Sequence, residues 1–405
     1  MKELPIYYGN RPVGVLVQNE HGFCELRYEA DWQREGFDIS VTLPRSEARH
    51  TGDRVRAFFE NLLPEARIRE SLARHYQVST ENVFGLLGYI GRDCAGAFSV
   101  GAEGADGTYT PLSAEELQHE LDRLPTLPMA TAHAGTSLSL AGAQHKLPLF
   151  CKQGQFYLPQ QGAASNCIIK LAIPGFDASV ENEFFCMKLA AAIGLPVAEV
   201  RLLPLPQSTV LVVQRYDRAG TDFHPQRLPQ EDFCQIAALS SDVKYESEGG
   251  PGFAFCAESI RRYSCRAAKD LLLLVQWAAI NLCIGNNDAH AKNLSRLRQG
   301  NALVLAPFYD LISTTFYGRK LQKKLAMRIG GQQWSHYVSR RRWERFADEI
   351  SLPRPTVLKN VSQTALAVQR ALAASPPYAP PAAAPLRAHI AERTRRVLQQ
   401  LQEES

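Results

Sequence analysis

The run LLLLVQWAAINLCI, residues 271 to 284, passes with no spacer into GNNDAHAKNLS, residues 285 to 295. Interrupted only by Gln276 and Asn281, the run is apolar around almost its whole circumference, so its helix belongs at the centre of a core. A helix so placed has a rigidly held end. Gly285 can terminate it, leaving Asn286 to Asn293 as a loop on a fixed scaffold, the arrangement that catalytic groups need. The run falls short of the roughly 20 apolar residues of a membrane span. The opening MKELPIYYGNRPVG also lacks the apolar centre of a signal peptide. A cytoplasmic protein with no membrane partner is expected.

Inside the polar loop, Asp288 and Asn293 stand five apart. The protein-kinase catalytic loop uses that spacing, its Asp accepting the substrate hydroxyl proton and its Asn holding Mg²⁺. Lys292 can face a transferring phosphoryl group. The competing reading is a capping turn, since Asp and Asn are common in loops. Asp310, after the apolar run of VLAPFYDLIST, is a second candidate Mg²⁺ ligand, or else a turn residue following Pro307. A metal hydrolase built on Asp288, His290 and Asp310 fits less well, because no second histidine stands at ligand spacing.

Upstream, Lys170 in CIIKLAI lies in a strand between apolar neighbours, where an ammonium group needs an anionic companion. Glu181 and Glu183, at the start of the next helix, are the nearest candidates. Alternation equally allows an edge lysine pointing to water. SLAGAQHK, residues 139 to 146, matches neither a Walker loop nor GxGxxG. Its small residues Ala141, Gly142 and Ala143 would still let backbone N–H groups approach phosphate oxygens. VVQRYDR ends a strand where a hinge would pass, with Gln214 and Tyr216 facing an adenine edge or Arg215 and Asp217 forming a plain turn. VKYESEGGPGF (243 to 253) is a glycine-rich loop that would border a cleft.

The 405 residues carry a net charge of only +4, with basic residues dispersed, so no arm or block of charge announces nucleic acid. Nine cysteines at irregular spacing, none in a CxxC pair, read as reduced thiols. The pattern divides the chain into an α+β subdomain at 1–110, a β-rich part at 111–218 and a helical lobe at 219–405. SPPYAPPAAAPL (375 to 386) is an extended linker near the end. Helices are expected through DRVRAFFENLLPEARIRESLARHY, with Phe58, Phe59, Leu62 and Leu63 on one repeat, from Thr80 in TENVFGLLGYIG, and through EDFCQIAALS. The expected fold is α+β and bilobal, protein-kinase-like, with the ligand cleft between lobes.

Taken in order, SLSLAGAQHKLPLF, CIIKLAIPG, SVENEFFCMKLA, VVQRYDR, RLPQEDFCQ, VKYESEGGPG, GNNDAHAKNLS and LAPFYDLIST resemble the HipA family of serine/threonine kinase toxins. FFENLLPEARIRE is similar to the family's N-terminal subdomain. The resemblance implies ATP and Mg²⁺ as cofactors, Asp288 as base, and Asn293 and Asp310 as metal ligands. It further implies Lys170 on the ATP phosphates, residues 139 to 146 as the phosphate loop (Gln144, His145 and Lys146 included), and Gln214 with Tyr216 as the adenine hinge. Self-phosphorylation is implied at Ser139, with Ser137 as a second candidate; a phosphate there would oppose ATP binding. Two departures stand out: His145 and Gln214 each occupy a place where better-known relatives have Glu. The implied partners are a HipB-like helix-turn-helix antitoxin, operator DNA through that antitoxin, and a protein substrate among the aminoacyl-tRNA synthetases, glutamyl-tRNA synthetase first. Two other readings remain, a binding-only pseudokinase and a small-molecule kinase.

Overall fold

A computed structural model describes residues 2–20, 22, 24–101, 107–124, 144–321, 323–374, 380 and 383–403, the side chains of residues 67, 319 and 320 apart. The chain gathers into two compact units, one of residues 1–171 with 203–242 and the other of 172–202 with 243–405.

The first unit opens on an antiparallel five-stranded sheet in the order β4-β3-β2-β1-β5. Its strands are β1 (Lys2–Tyr8), β2 (Arg11–Gln18), β3 (Cys24–Tyr28), β4 (Arg49–Thr51) and β5 (Phe98–Val100). The first turn falls at Gly9, whose φ of 59° suits a tight hairpin, and the second is closed by Gly22 N–H donating to Asn19 O. Helices α1 (Ala30–Glu35), α2 (Asp53–Glu60), α3 (Ala66–His75) and α4 (Val83–Ile90) complete this part. Phe58, Phe59, Leu62 and Leu63 are all at most 3% exposed, yet the helical repeat breaks after Glu60, because Pro64 disfavours helix at the residue before it. The helix expected from Thr80 starts later, as α4 at Val83. Asn82 caps α4 by accepting from Gly85 N–H, so the asparagine defines its first turn.

After α5 (Ala114–Arg123), a six-stranded sheet runs β10-β11-β9-β7-β8-β6. It comprises β6 (Tyr109–Leu112), β7 (Lys146–Lys152), β8 (Gln155–Pro159), β9 (Cys167–Lys170), β10 (Val200–Pro204) and β11 (Thr209–Gln214). One helix, α6 (Ser179–Ala192), is inserted between β9 and β10 and belongs to the second unit. EDFCQIAALS yields only the short α7 (Phe233–Ile236), whose capping-box Gln235 also donates to Phe58 O at 3.0 Å.

Behind β11 lies a cluster of buried charges. Arg215 donates to Asp217 Oδ1 and Oδ2 at 2.9 and 2.8 Å, while Arg218 reaches Asp93 Oδ1 at 2.8 Å. Ser165 Oγ donates to Asp93 Oδ2 at 2.6 Å. Burial pushes the Asp93 carboxyl up, but Arg215, Arg218, Arg227 and the Ser165 hydroxyl outweigh it and hold the group well below the usual carboxylate range. The cluster fastens residue 93, from the N-terminal part, to the end of β11.

The second unit is mostly helical: α6, α8 (Phe253–Tyr263), α9 (Ala267–Ile284), α10 (Arg340–Glu349), α11 (Arg354–Ala373) and α12 (Ala384–Gln402). A hairpin of Ser295–Gln299 and Ala302–Leu305 is added. Helix α9 is long and apolar enough to cross a membrane by composition, but it is mostly buried and packs on α8, α11 and α12, as the core helix its pattern demanded. Much of the 375–386 linker lies outside the described residues; α12 begins at Ala384 with Pro385 in its first turn, a position that costs no hydrogen bond.

Removing Asp93 leaves three buried guanidinium groups short of one counter-charge, so Asp93→Ala should cost about 3–5 kcal/mol in urea-unfolding stability. Because the folded carboxyl titrates below the unfolded one, its contribution is present above the ordinary carboxylate pKa and is lost as pH falls. The gap between wild type and variant should therefore narrow below about pH 4.

Candidate active site

The loop after α9 is held by its own asparagines. Gly285 closes the helix at φ 76°, as its position suggested, and an added Cβ there would stand 2.0 Å from Thr315 Oγ1. Asn281, one of the two polar interruptions of the apolar run, accepts from Asn286 N–H at 2.8 Å through its carbonyl and from Asn286 Nδ2 at 2.9 Å through its side chain. Asn286 Oδ1 then accepts from Asp288 N–H at 3.1 Å. Asn287 N–H donates to Thr314 Oγ1 at 2.9 Å, and Thr314 Oγ1 donates to Gly285 O at 3.1 Å.

These bonds present Asp288 half-buried, with Lys292 and Asn293 at 5% and 6% exposure in the same loop. Asn293 Nδ2 donates to Asp288 O at 3.2 Å, which turns the amide so that its Oδ1 is the atom available to a cation. Asp310 follows Tyr309, whose hydroxyl donates to Lys292 O at 2.5 Å and shares a 2.7 Å hydrogen bond with Ser295 Oγ. On the other side of Asp310, Ser313 exchanges two hydrogen bonds with Asn182 of α6, at 2.8 and 3.1 Å. Asp310 itself has a φ of 59°, a left-handed conformation that costs a non-glycine residue about 1–3 kcal/mol and persists where neighbours enforce it. The structure thus ties Asp288, Lys292, Asn293 and the Asp310 segment into one framework.

The donors fit a hard divalent cation. An amide oxygen and a carboxylate are the ligands of Mg²⁺ that completes its shell with substrate phosphate oxygens and water. Among the described residues, no three His, Cys, Asp or Glu side chains converge as they would in a zinc-type site.

In the first unit, Lys170 is 6% exposed on β9, between β11 and β7, so the solvent-facing alternative does not hold. Its register partner on β7 is Lys146, 9% exposed, so two ammonium groups share one face of the sheet. Lys146 Nζ donates to Gln144 O at 3.3 Å. Gln144 Nε2 donates to Leu171 O at 2.5 Å, and Leu171 N–H donates to His145 O at 3.3 Å, which anchors the end of the 139 to 146 segment to β9. Burial and the neighbouring Lys146 push His145 below the ordinary histidine value, favouring neutral imidazole. Ser137, Ser139, Ala141, Gly142 and Ala143 lie outside the described residues. Gln214 ends β11 exposed, paired with Cys167, about 10 Å along β9 from Lys170 at the rise of a strand. Tyr216 is half-buried, its hydroxyl bonded to Gln230, while Arg215 between them points into the charge cluster.

Several residues of this framework escaped sequence reasoning. Tyr309, Thr314 and Asn182 act through long-range hydrogen bonds that leave no periodic trace. Tyr245 is a fourth: its hydroxyl donates to Asp288 Oδ1 at 2.7 Å, and only its glycine-rich surroundings were visible in the sequence.

Fold and loop together define an α+β chain of the protein-kinase-like class. Residues 138–372 match the family model described as the HipA-like C-terminal domain, and residues 4–101 match the HipA N-terminal domain. A Sinorhizobium fredii protein named "Putative kinase Y4mE" is 39% identical over 92% of both chains. The serine/threonine-protein kinase toxin HipA of Shewanella oneidensis is 31% identical over 86% of this chain and 83% of its own. The structure of HipA in the Shewanella oneidensis complex with HipB and operator DNA superimposes with a TM-score of 0.87 over 98% of both chains, at 28% identity. The chain belongs to the HipA family.

Gly285→Ala should be costly twice over, through the left-handed φ and through the collision with Thr315. A loss of at least about 1–2 kcal/mol is expected in thermal or urea unfolding, with faster backbone amide exchange in residues 286–293.

Proposed function

We propose that the chain is an ATP- and Mg²⁺-dependent serine/threonine protein kinase and the toxin of a toxin–antitoxin pair. The observation that carries this reading is the geometry of the 286–293 loop. A carboxylate and an amide oxygen five residues apart are held on a fixed helix end, and a second carboxylate is tied to them through Tyr309.

In this reading Asp288 orients the acceptor hydroxyl and takes its proton as the oxygen attacks the γ-phosphorus of ATP. Lys292 offsets charge on the transferring group. Asn293 and Asp310 hold Mg²⁺, which when bound neutralises charge on the nucleotide phosphates. Lys170 and Lys146 receive phosphate oxygens, with Gln144, His145 and the preceding Ala141, Gly142 and Ala143 lining the same segment. The backbone at Gln214 and Tyr216 meets the adenine edge, and at that position the exchange of Glu for Gln214 leaves a backbone contact intact.

The acceptor protein is an aminoacyl-tRNA synthetase, glutamyl-tRNA synthetase being the first to test, and its phosphorylation would halt translation and growth. Self-phosphorylation at Ser139 or Ser137 would switch the enzyme off by placing about two negative charges beside the ATP phosphates. A HipB-like antitoxin, and operator DNA through it, are the assembly partners; the Shewanella oneidensis relative supports this, having been solved as such a complex.

The test is the intact mass of phosphatase-treated protein before and after Mg²⁺-ATP. Wild type should gain phosphate at Ser139 or Ser137 and Asp288→Gln should gain none. Asn293→Ala should slow the gain at least about a hundredfold, on the order of 3 kcal/mol. A wild type that gains no phosphate and transfers none to purified synthetases would move the reading to a small-molecule kinase or a binding-only protein.

A further inference from the structure

We infer that Tyr245 is a positioning residue for Asp288, and that residues 243–253 serve to hold its hydroxyl in place. This inference rests on the kinase reading of Asp288. The Tyr245 hydroxyl donates to Asp288 Oδ1 at 2.7 Å, a charge-assisted bond. The χ2 of an aspartate carboxyl is broadly distributed, so a fixed hydrogen bond to one of its oxygens narrows the orientation it offers to an acceptor hydroxyl.

The tether is braced from three sides. Glu246 N–H donates to Ala326 O at 3.0 Å, and Ala326 N–H donates to Asn287 O at 2.8 Å, so a single residue joins the Tyr245 loop to the catalytic loop. Glu246 Oε2 accepts from Arg328 N–H at 2.5 Å. Tyr245 O accepts from Glu248 and Gly250 N–H, both at 2.9 Å, closing a tight turn. Gly250 is required in that turn, since a Cβ there would lie 2.4 Å from Val243 O. The Tyr245 ring stands edge-on to His290 at 5.5 Å, with Lys244 Nζ 5.6 Å from its centroid.

A hydroxyl on Asp288 also resembles an acceptor serine, and a contact meant to be displaced would act as a block. The bracing favours a permanent tether, and the sign of the activity change separates the two.

The test uses the full chain labelled with [ζ-¹³C]tyrosine. The resonance lost in Tyr245→Phe is assigned to Tyr245, and it should move in Asp288→Asn, which replaces the anionic acceptor. Tyr245→Phe, which keeps the ring and removes one oxygen, should lower kcat for Mg²⁺-ATP-dependent phosphate transfer about tenfold. KM for ATP should stay within twofold and the melting midpoint should be unchanged. Tyr245→Leu should lower kcat at least as far. A Tyr245 resonance blind to Asp288→Asn, a kcat equal to wild type, or a faster Tyr245→Phe enzyme would each overturn the tether. A wild type that transfers no phosphate, while the resonance still moves, would instead sink the kinase reading and leave the contact as a structural one.

Discussion

The pinned C-terminus of α9 is the constraint on which the second unit depends. Burial of Leu274, Trp277 and Ile280 places the helix axis, and Gly285 then decides where the chain leaves it. Asn281 interrupts the apolar run with a side-chain oxygen that receives Asn286 Nδ2. Arg393 of α12 reinforces the end by donating to Leu282 O at 3.2 Å, a cation at the negative pole of the helix, although burial lowers it to about 10. A loop fixed this firmly can hold a carboxylate and an amide oxygen in productive orientation without paying for their order at each turnover.

The first unit handles charge by a different device. Asp93, Arg215, Asp217, Arg218 and Arg227 are sealed together, each compensated by the others, by Ser165 or by carbonyl groups. Such a cluster contributes little net stability over an apolar core but is severely damaged by losing one member, which makes it a device for alignment. It aligns the end of β11, where Gln214 and Tyr216 flank Arg215. Lys146 and Lys170 stand opposite one another on β7 and β9, two like charges on one face of the sheet.

The central helix, its glycine stop, the Asp288–Asn293 spacing and the alternation of strands around Lys170 were all legible in the sequence, since each leaves a local pattern. Lys170 shows the limit. Period-two alternation permits either face, and only the register with Lys146 and Leu211 placed it on a central strand. The break after Glu60 and the capping of α4 by Asn82 depended on single residues competing with a longer apolar repeat. Tyr309, Thr314, Asn182 and Tyr245 were invisible because a hydroxyl or amide that bonds across 17 to 131 positions imposes no spacing on the sequence.

By itself the amino-acid sequence determined the elements and the chemistry: which helix must be central, where it must stop, and which carboxylate and amide follow it. Tertiary structure alone decided which of those groups meet. The segment carrying Asp310 is fixed because Tyr309 bonds to Lys292 O before it and Ser313 bonds to Asn182 after it, and Asp288 Oδ1 is held by the Tyr245 hydroxyl. Local propensity acts over a few residues, whereas orientation of a side chain is set by whatever the folded chain brings within hydrogen-bond reach.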